Sequence, residues 1–209
     1  DSYLKIGITP TTDAITILTF GEEVKETAME PGRKDIEIPS AILKEVRIVD
    51  TPGTNAILRE HESLTSDFIP RADIVIFVTS VDRPFTESER IFLEKIKNWG
   101  KKIIFIINKI DIVEDSSDLE EVLSFVSKNS EKLLEYSPII FPLSAKESLA
   151  KIRQGSPDML FMDIQNYILN TLDQGEKIRI KLNNPLKILT NLTSKYTAIN
   201  TSNLALISD

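Results

Sequence analysis

Two uninterrupted apolar runs, Asp73 to Thr79 (DIVIFVT) and Ile103 to Asn108 (IIFIIN), constrain this chain more than any other feature. A strand with one wet face alternates apolar and polar residues. A strand without alternation is covered on both faces, which is the situation of a parallel sheet under helices. Parallel neighbours need a crossover between them, and Thr86 to Trp99 supplies one, with Ile91, Phe92, Lys95 and Ile96 spaced as on a helix. Ala14 to Phe20 (AITILTF), Val46 to Asp50 and Ile139 to Leu143 (IIFPL) read as further strands. Ser116 to Leu134 and Phe161 to Leu172 read as helices, and Gly21 to Lys34 as a charged hairpin or loop. Strands alternating with helices of this length predict an α/β fold with a mostly parallel sheet flanked by helices.

The reading places this α/β domain at residues 1–175 and a different segment at 176–209. The latter carries Leu182, Leu186, Leu189 and Leu192, with Pro185 just inside a helix start. It is expected either to leave the domain as the start of a helical neck or stalk, or to pack back on it. Of the 209 residues 41% are hydrophobic, enough to build a core. Lys and Arg number 25 against 32 Asp and Glu, a formal charge of −7, which argues against nucleic acid as the main partner. The absence of cysteine excludes disulfides and thiolate metal sites and fits a reducing compartment. No apolar run approaches the roughly 18 residues of a membrane span, and "DSYLKIGITPTTD" lacks the shape of a signal peptide. The expectation is a soluble intracellular protein, or a soluble part of one.

Open α/β sheets bind ligands beyond the carboxyl ends of their strands. Three such ends carry distinctive chemistry: Asp50-Thr51-Pro52-Gly53, then Asn108-Lys109-Ile110-Asp111, then Ser144-Ala145-Lys146. Taken alone, Asp-Thr-Pro-Gly is an ordinary turn composition. In this order and placement the three loops are what a guanine-nucleotide site needs. Guanine presents two adjacent donors, N1–H and the 2-amino group, and the Asp111 carboxylate can accept both. Adenine lacks that pair, so Asp111 would select GTP over ATP. Asn108 is placed to brace the neighbouring loop and approach the imidazole edge. The Lys109 stem is placed to lie along base and ribose. Ala145 is small enough for its N–H to reach the guanine O6, with Ser144 and Lys146 completing that loop. Asp50 would hold Mg²⁺ through water, and Gly53 would offer its N–H to the γ-phosphate. Thr12, with Thr11 as the alternative one register away, sits in a polar loop before the first strand, where its hydroxyl would meet Mg²⁺ only when GTP is bound.

The stretches PTTDAIT, RIVDTPGTNAIL, FIPRADIVIFVTSVDRPFTESERIFL and FIINKIDI resemble the GTPase domain of dynamin-superfamily proteins, in the branch of bacterial dynamin-like proteins and the plastid fuzzy-onion-like protein related to mitofusins. The resemblance runs from about Tyr3 to Tyr196, and DRPFTESE is its most branch-specific part. It implies a P-loop-NTPase-type fold, hydrolysis of GTP with Mg²⁺, and dimerisation of GTPase heads across the nucleotide face. It also implies remodelling of a membrane reached through regions outside this chain, with a cytoplasmic or plastid-stromal location. Two other readings stand beside it: a ribosome-assembly or translation-type GTPase, and a non-hydrolysing GTPase-like interaction module.

One family element is missing. No GxxxxGK[ST] loop occurs, the seven glycines standing at positions 7, 21, 32, 53, 100, 155 and 175. The family pattern places that loop, with a central strand and a helix, upstream of Asp1. The 209 residues are therefore expected to be an N-terminally truncated GTPase domain that does not hydrolyse GTP alone. Thr54-Asn55-Ala56 follow the Asp-Thr-Pro-Gly turn, with no glutamine to orient a water. No catalytic base is assigned; Arg59 and His61 are the nearby polar candidates.

Overall fold

A computed structural model of the chain describes residues 14–30, 32–52, 67–172, 188–190, 192–197 and 199–201. They divide into two compact units, residues 1–67 and 68–209.

The first unit is built on a four-stranded sheet. Its strands are β1 (Ile15–Phe20), β2 (Lys25–Glu30), β3 (Arg33–Ile38) and β4 (Ile48–Asp50), in the order β2-β3-β1-β4. The hairpin expected over 21–34 is present as β2 and β3, paired antiparallel, with Gly32 at φ 83° just before β3 where a side chain would be strained. β3 then runs on to Ile38, beyond the expected loop, and pairs parallel with β1, Ile15 opposite Arg33 through Phe20 opposite Ile38. β4 is antiparallel to β1, with Thr16 opposite Asp50. Leu18, Ile36 and Ile38 pack with Leu43 of a short 3₁₀ turn, Ala41–Lys44.

The second unit is wholly parallel: β5 (Ile74–Ser80), β6 (Lys102–Asn108) and β7 (Ile139–Pro142), in the order β5-β6-β7. Between and after them run α1 (Glu87–Lys97), α2 (Ser116–Leu134), α3 (Ala145–Arg153) and α4 (Met159–Thr171). Each helix begins on a polar side chain that accepts a backbone N–H of its first turn: Thr86 from Glu89, Asp115 from Ser117, Ser144 from Glu147 and Asp158 from Phe161. At Thr86 the bond is reciprocated, Glu89 Oε2 accepting the Thr86 N–H at 2.7 Å, a capping box. α2 spans the residues expected of it. α3 was not anticipated, although Ser144-x-x-Glu147 is a capping-box pattern.

β6 is covered on both faces. Ile103, Phe105 and Ile107 meet Leu93 and Ile96 of α1 and Val126 and Leu134 of α2, while Ile106 on the other face packs with Leu143 and Ile164. Phe105 is fully buried, its ring 5.2 Å from Phe77 and 6.4 Å from Phe85. β5 departs from the sequence reading. Phe77 and Thr79 are buried, but Ile76 and Val78 are 43% and 55% exposed, so among the described residues one face of this apolar run is bare. An unbroken apolar run encodes two covered faces, and only the tertiary arrangement shows which residues do the covering.

Residues 188–190, 192–197 and 199–201 are helical. Leu189, Leu192, Tyr196 and Ile199 are all exposed there, and their 3-4-3 spacing lays them along one stripe. Leu182, Pro185 and Leu186 lie outside the described residues.

Candidate functional site

The carboxyl ends of β5, β6 and β7 bring two of the three motif loops together. Parallel pairing sets Ser80 opposite Asn108, and the Val81 N–H donates to the Asn108 carbonyl at 3.0 Å. On the other side the Leu143 N–H donates to the Ile107 carbonyl at 2.9 Å, and the Ile110 N–H to the Leu143 carbonyl at 3.4 Å. The loop after β6 is thereby stitched to its neighbours before any side chain acts.

Asn108 joins the two loops. Its Oδ1 accepts the Lys109 N–H at 2.8 Å and the Ala145 N–H at 3.0 Å. The first bond accompanies a left-handed backbone at Lys109, φ 64° and ψ 32°, which a lysine adopts only against a steric cost of about 1–2 kcal/mol. The second occupies the Ala145 N–H that the sequence assigns to guanine O6, so meeting a base oxygen requires that bond to be shared or broken.

Asp111 lies in a 3₁₀ turn, Ile110–Ile112, with its side chain only 13% exposed. Its Oδ1 accepts the Ser144 hydroxyl at 2.6 Å, and its Oδ2 lies 3.8 Å from Lys146 Nζ. The Ser144 hydrogen bond, with help from the Lys146 and Lys109 charges, holds the carboxyl below its ordinary range. At neutral pH Asp111 is thus an acceptor only, the form that two adjacent N–H donors require. Ser144 is almost fully buried and serves twice, donating to Asp111 and accepting the Glu147 N–H at 3.2 Å to start α3. Lys109 is an exposed side chain whose Nζ stands 3.8 Å from Asp82 Oδ1.

In the first unit, Asp50 ends β4 and is half-buried, Thr51 is exposed and Pro52 is buried. Thr11, Thr12, Gly53, Arg59 and His61 lie outside the described residues. No group of three or more His, Cys, Asp or Glu gathers as a metal cage among the described residues. A strand-end carboxylate such as that of Asp50 nevertheless fits Mg²⁺, which keeps several waters and takes the rest of its ligands from phosphate.

Residues 34–110 match the family model described as the dynamin family. Over that stretch the chain is similar to that family. It is 40% identical over 225 aligned residues to a probable transmembrane GTPase of Arabidopsis thaliana, FZO-like and chloroplastic, covering 94% of this chain and 25% of that protein. It is 32% identical to dynamin-like protein A of Bacillus subtilis strain 168, covering 66% of this chain and 12% of that protein. The chain therefore spans a quarter or less of either relative's length. Among solved structures, one of an oligomerised bacterial dynamin pair superposes with a TM-score of 0.69 over 99% of this chain and 42% of that one, at 16% identity, which speaks for the dynamin-type α/β fold. Among the described residues, no helix is long and apolar enough to cross a membrane.

Proposed function

We propose that this chain binds GTP with Mg²⁺ and forms most of a GTP-hydrolysing head. The observation that carries the reading is the ionised Asp111, held between Ser144 and Lys146 at the strand ends, with Asn108 tying its loop to that of Ala145. Asp111 accepts the two guanine donors, Asn108 and the loop of Ser144, Ala145 and Lys146 frame the base, and the Lys109 stem covers it. Asp50 would hold Mg²⁺ through water, Gly53 would offer its N–H to the γ-phosphate, and Thr12 (or Thr11) would give its hydroxyl to the metal when GTP is bound. Mg²⁺ supplies charge neutralisation at the β- and γ-phosphates.

Among the described residues β5 is paired only with β6, and its Ile76 and Val78 are exposed. That open edge and bare face support a further strand and helix completing this sheet, where residues that cradle the phosphates would enter. In the whole protein, heads of this kind dimerise across the nucleotide face and move a helical stalk to remodel a membrane. The exposed stripe of Leu189, Leu192, Tyr196 and Ile199 supports a helix that finds its partner outside the head. The chloroplastic relative favours the plastid stroma, and the bacterial relative is equally consistent with a cytoplasmic location.

The test is Asp111→Asn in the full-length protein. An amide offers one donor and one acceptor where guanine needs two acceptors, so preference shifts from GTP toward XTP in a competition assay. An unchanged preference for GTP removes Asp111 from the site.

A further inference from the structure

The stretch Asp82 to Glu89 (DRPFTESE) runs from the turn after β5 into the first turn of α1, and the guanine-binding residues just described do not include it. Most of it has a structural account. Phe85 adopts φ 63° and lays its ring over Phe105 at 6.4 Å, and Thr86 with Glu89 caps α1. Asp82 takes no part in either task. It is exposed, it accepts the Ser80 hydroxyl, and its carboxylate faces Lys109 Nζ across 3.8 Å. Its place is dictated by the sheet. Ser80 and Asn108 stand opposite each other in the parallel ladder, the Val81 N–H donates to the Asn108 carbonyl, and Asp82 and Lys109 lie two residues and one residue past the strand ends.

We propose that Asp82 is a positioning residue for guanine-nucleotide binding, acting through Lys109. The inference rests on the reading of Asn108 to Asp111 as the guanine site. A lysine stem that has to lie along a base gives up much of its rotamer freedom on binding. A counter-charge that gathers the ammonium beforehand removes part of that loss, the general advantage of preorganisation. The left-handed backbone of Lys109, bonded to Asn108 Oδ1, fixes where the stem begins, and Asp82 draws its far end to one side. Ser80 in turn holds the carboxylate in place, and its hydrogen bond is the first cause that keeps the carboxyl below its ordinary range. In the free protein an exposed pair at this distance contributes little to stability. Once a base covers the stem, water is displaced around the pair and the attraction strengthens. The geometry predicts an effect on nucleotide affinity out of proportion to any effect on folding.

Asp82→Asn keeps an oxygen for the Ser80 hydroxyl and removes only the charge, so the turn survives. In the full-length protein it lowers affinity for GDP and GTP alike, by about three- to tenfold at low ionic strength, with the melting temperature unchanged. The deficit shrinks as salt is raised toward 1 M, where screening already weakens the native pair. It vanishes in a Lys109→Met background, because Asp82 has nothing left to act on. Unaltered affinity in Asp82→Asn, or a deficit that persists beside Lys109→Met, overturns the inference while leaving the guanine site intact. If the unmutated protein fails to bind GDP and GTP, the reading of the site falls and this inference with it.

Discussion

Ser144 is where the fold and the candidate base-binding chemistry share one hydroxyl, and removing it separates two contributions. In Ser144→Ala the Glu147 N–H loses its cap, at about 1 kcal/mol of stability, within a range of roughly 0.5–2. The same change strips Asp111 Oδ1 of its 2.6 Å donor. A hydrogen bond to a charged group contributes about 1.5–3 kcal/mol. In the free protein a water reaching the 13% of Asp111 that stays exposed stands in for that donor; a bound base excludes it, so the loss falls on the complex. At about 1.4 kcal/mol per factor of ten, guanine-nucleotide affinity falls by roughly ten- to hundredfold. Titration of a fluorescent GDP analogue into full-length protein measures this, and a thermal melt on the same sample reports the cap. Ser144→Asp sharpens the comparison. Aspartate is as good a cap as serine, so α3 starts normally, but a second carboxylate now faces Asp111. It is expected to bind guanine nucleotides more weakly than Ser144→Ala although the cap is kept. If Ser144→Ala melts lower yet binds within twofold of the unmutated protein, the hydroxyl serves the helix alone, and Asp111 does not depend on it.

Phe105→Ala empties the most enclosed aromatic position between Phe77 and Phe85 and is expected to cost about 3–5 kcal/mol, read as a lowered denaturant midpoint with an unchanged slope. Asp158 is held below its ordinary range by the Phe161 N–H first and by Lys151 Nζ at 3.0 Å, so its contribution is present above the unfolded value and lost as pH falls through the folded one. Asp158→Asn therefore destabilises at neutral pH, and its deficit narrows below about pH 4, where the native carboxylate also loses its charge; a deficit independent of pH would show that the charge contributes nothing. Thr12→Ala is expected to leave nucleotide affinity within about tenfold but to cut single-turnover hydrolysis by a hundredfold or more, because its hydroxyl serves the metal in the closed state. Normal turnover in both Thr12→Ala and Thr11→Ala retires that assignment.

Local chemistry carried much of this protein in plain view. The bounds of α2 follow from Asp115 at its start and a periodic face ending at Leu134. β6 is announced by its unbroken apolar run. A cap three residues long is just as local, so Ser144 and Glu147 encoded α3 as legibly as Thr86 and Glu89 encoded α1. β3 was less legible. Four of the six residues of Arg-Lys-Asp-Ile-Glu-Ile are charged, and the strand forms through parallel pairing with β1, which no window of consecutive residues contains. The bare face of β5 is likewise a property of neighbours rather than of DIVIFVT itself. The same division runs through the candidate site. Sequence alone named Asp111 and Ser144, but the hydroxyl-to-carboxylate bond between them joins residues 33 apart. Asp82 and Lys109 meet only because β5 and β6 run parallel and in register, ending level at Ser80 and Asn108. Spacing along a chain encodes which face a residue takes and where an element starts. Which charges then stand opposite each other is decided by strand pairing, whose closure depends on the whole sheet.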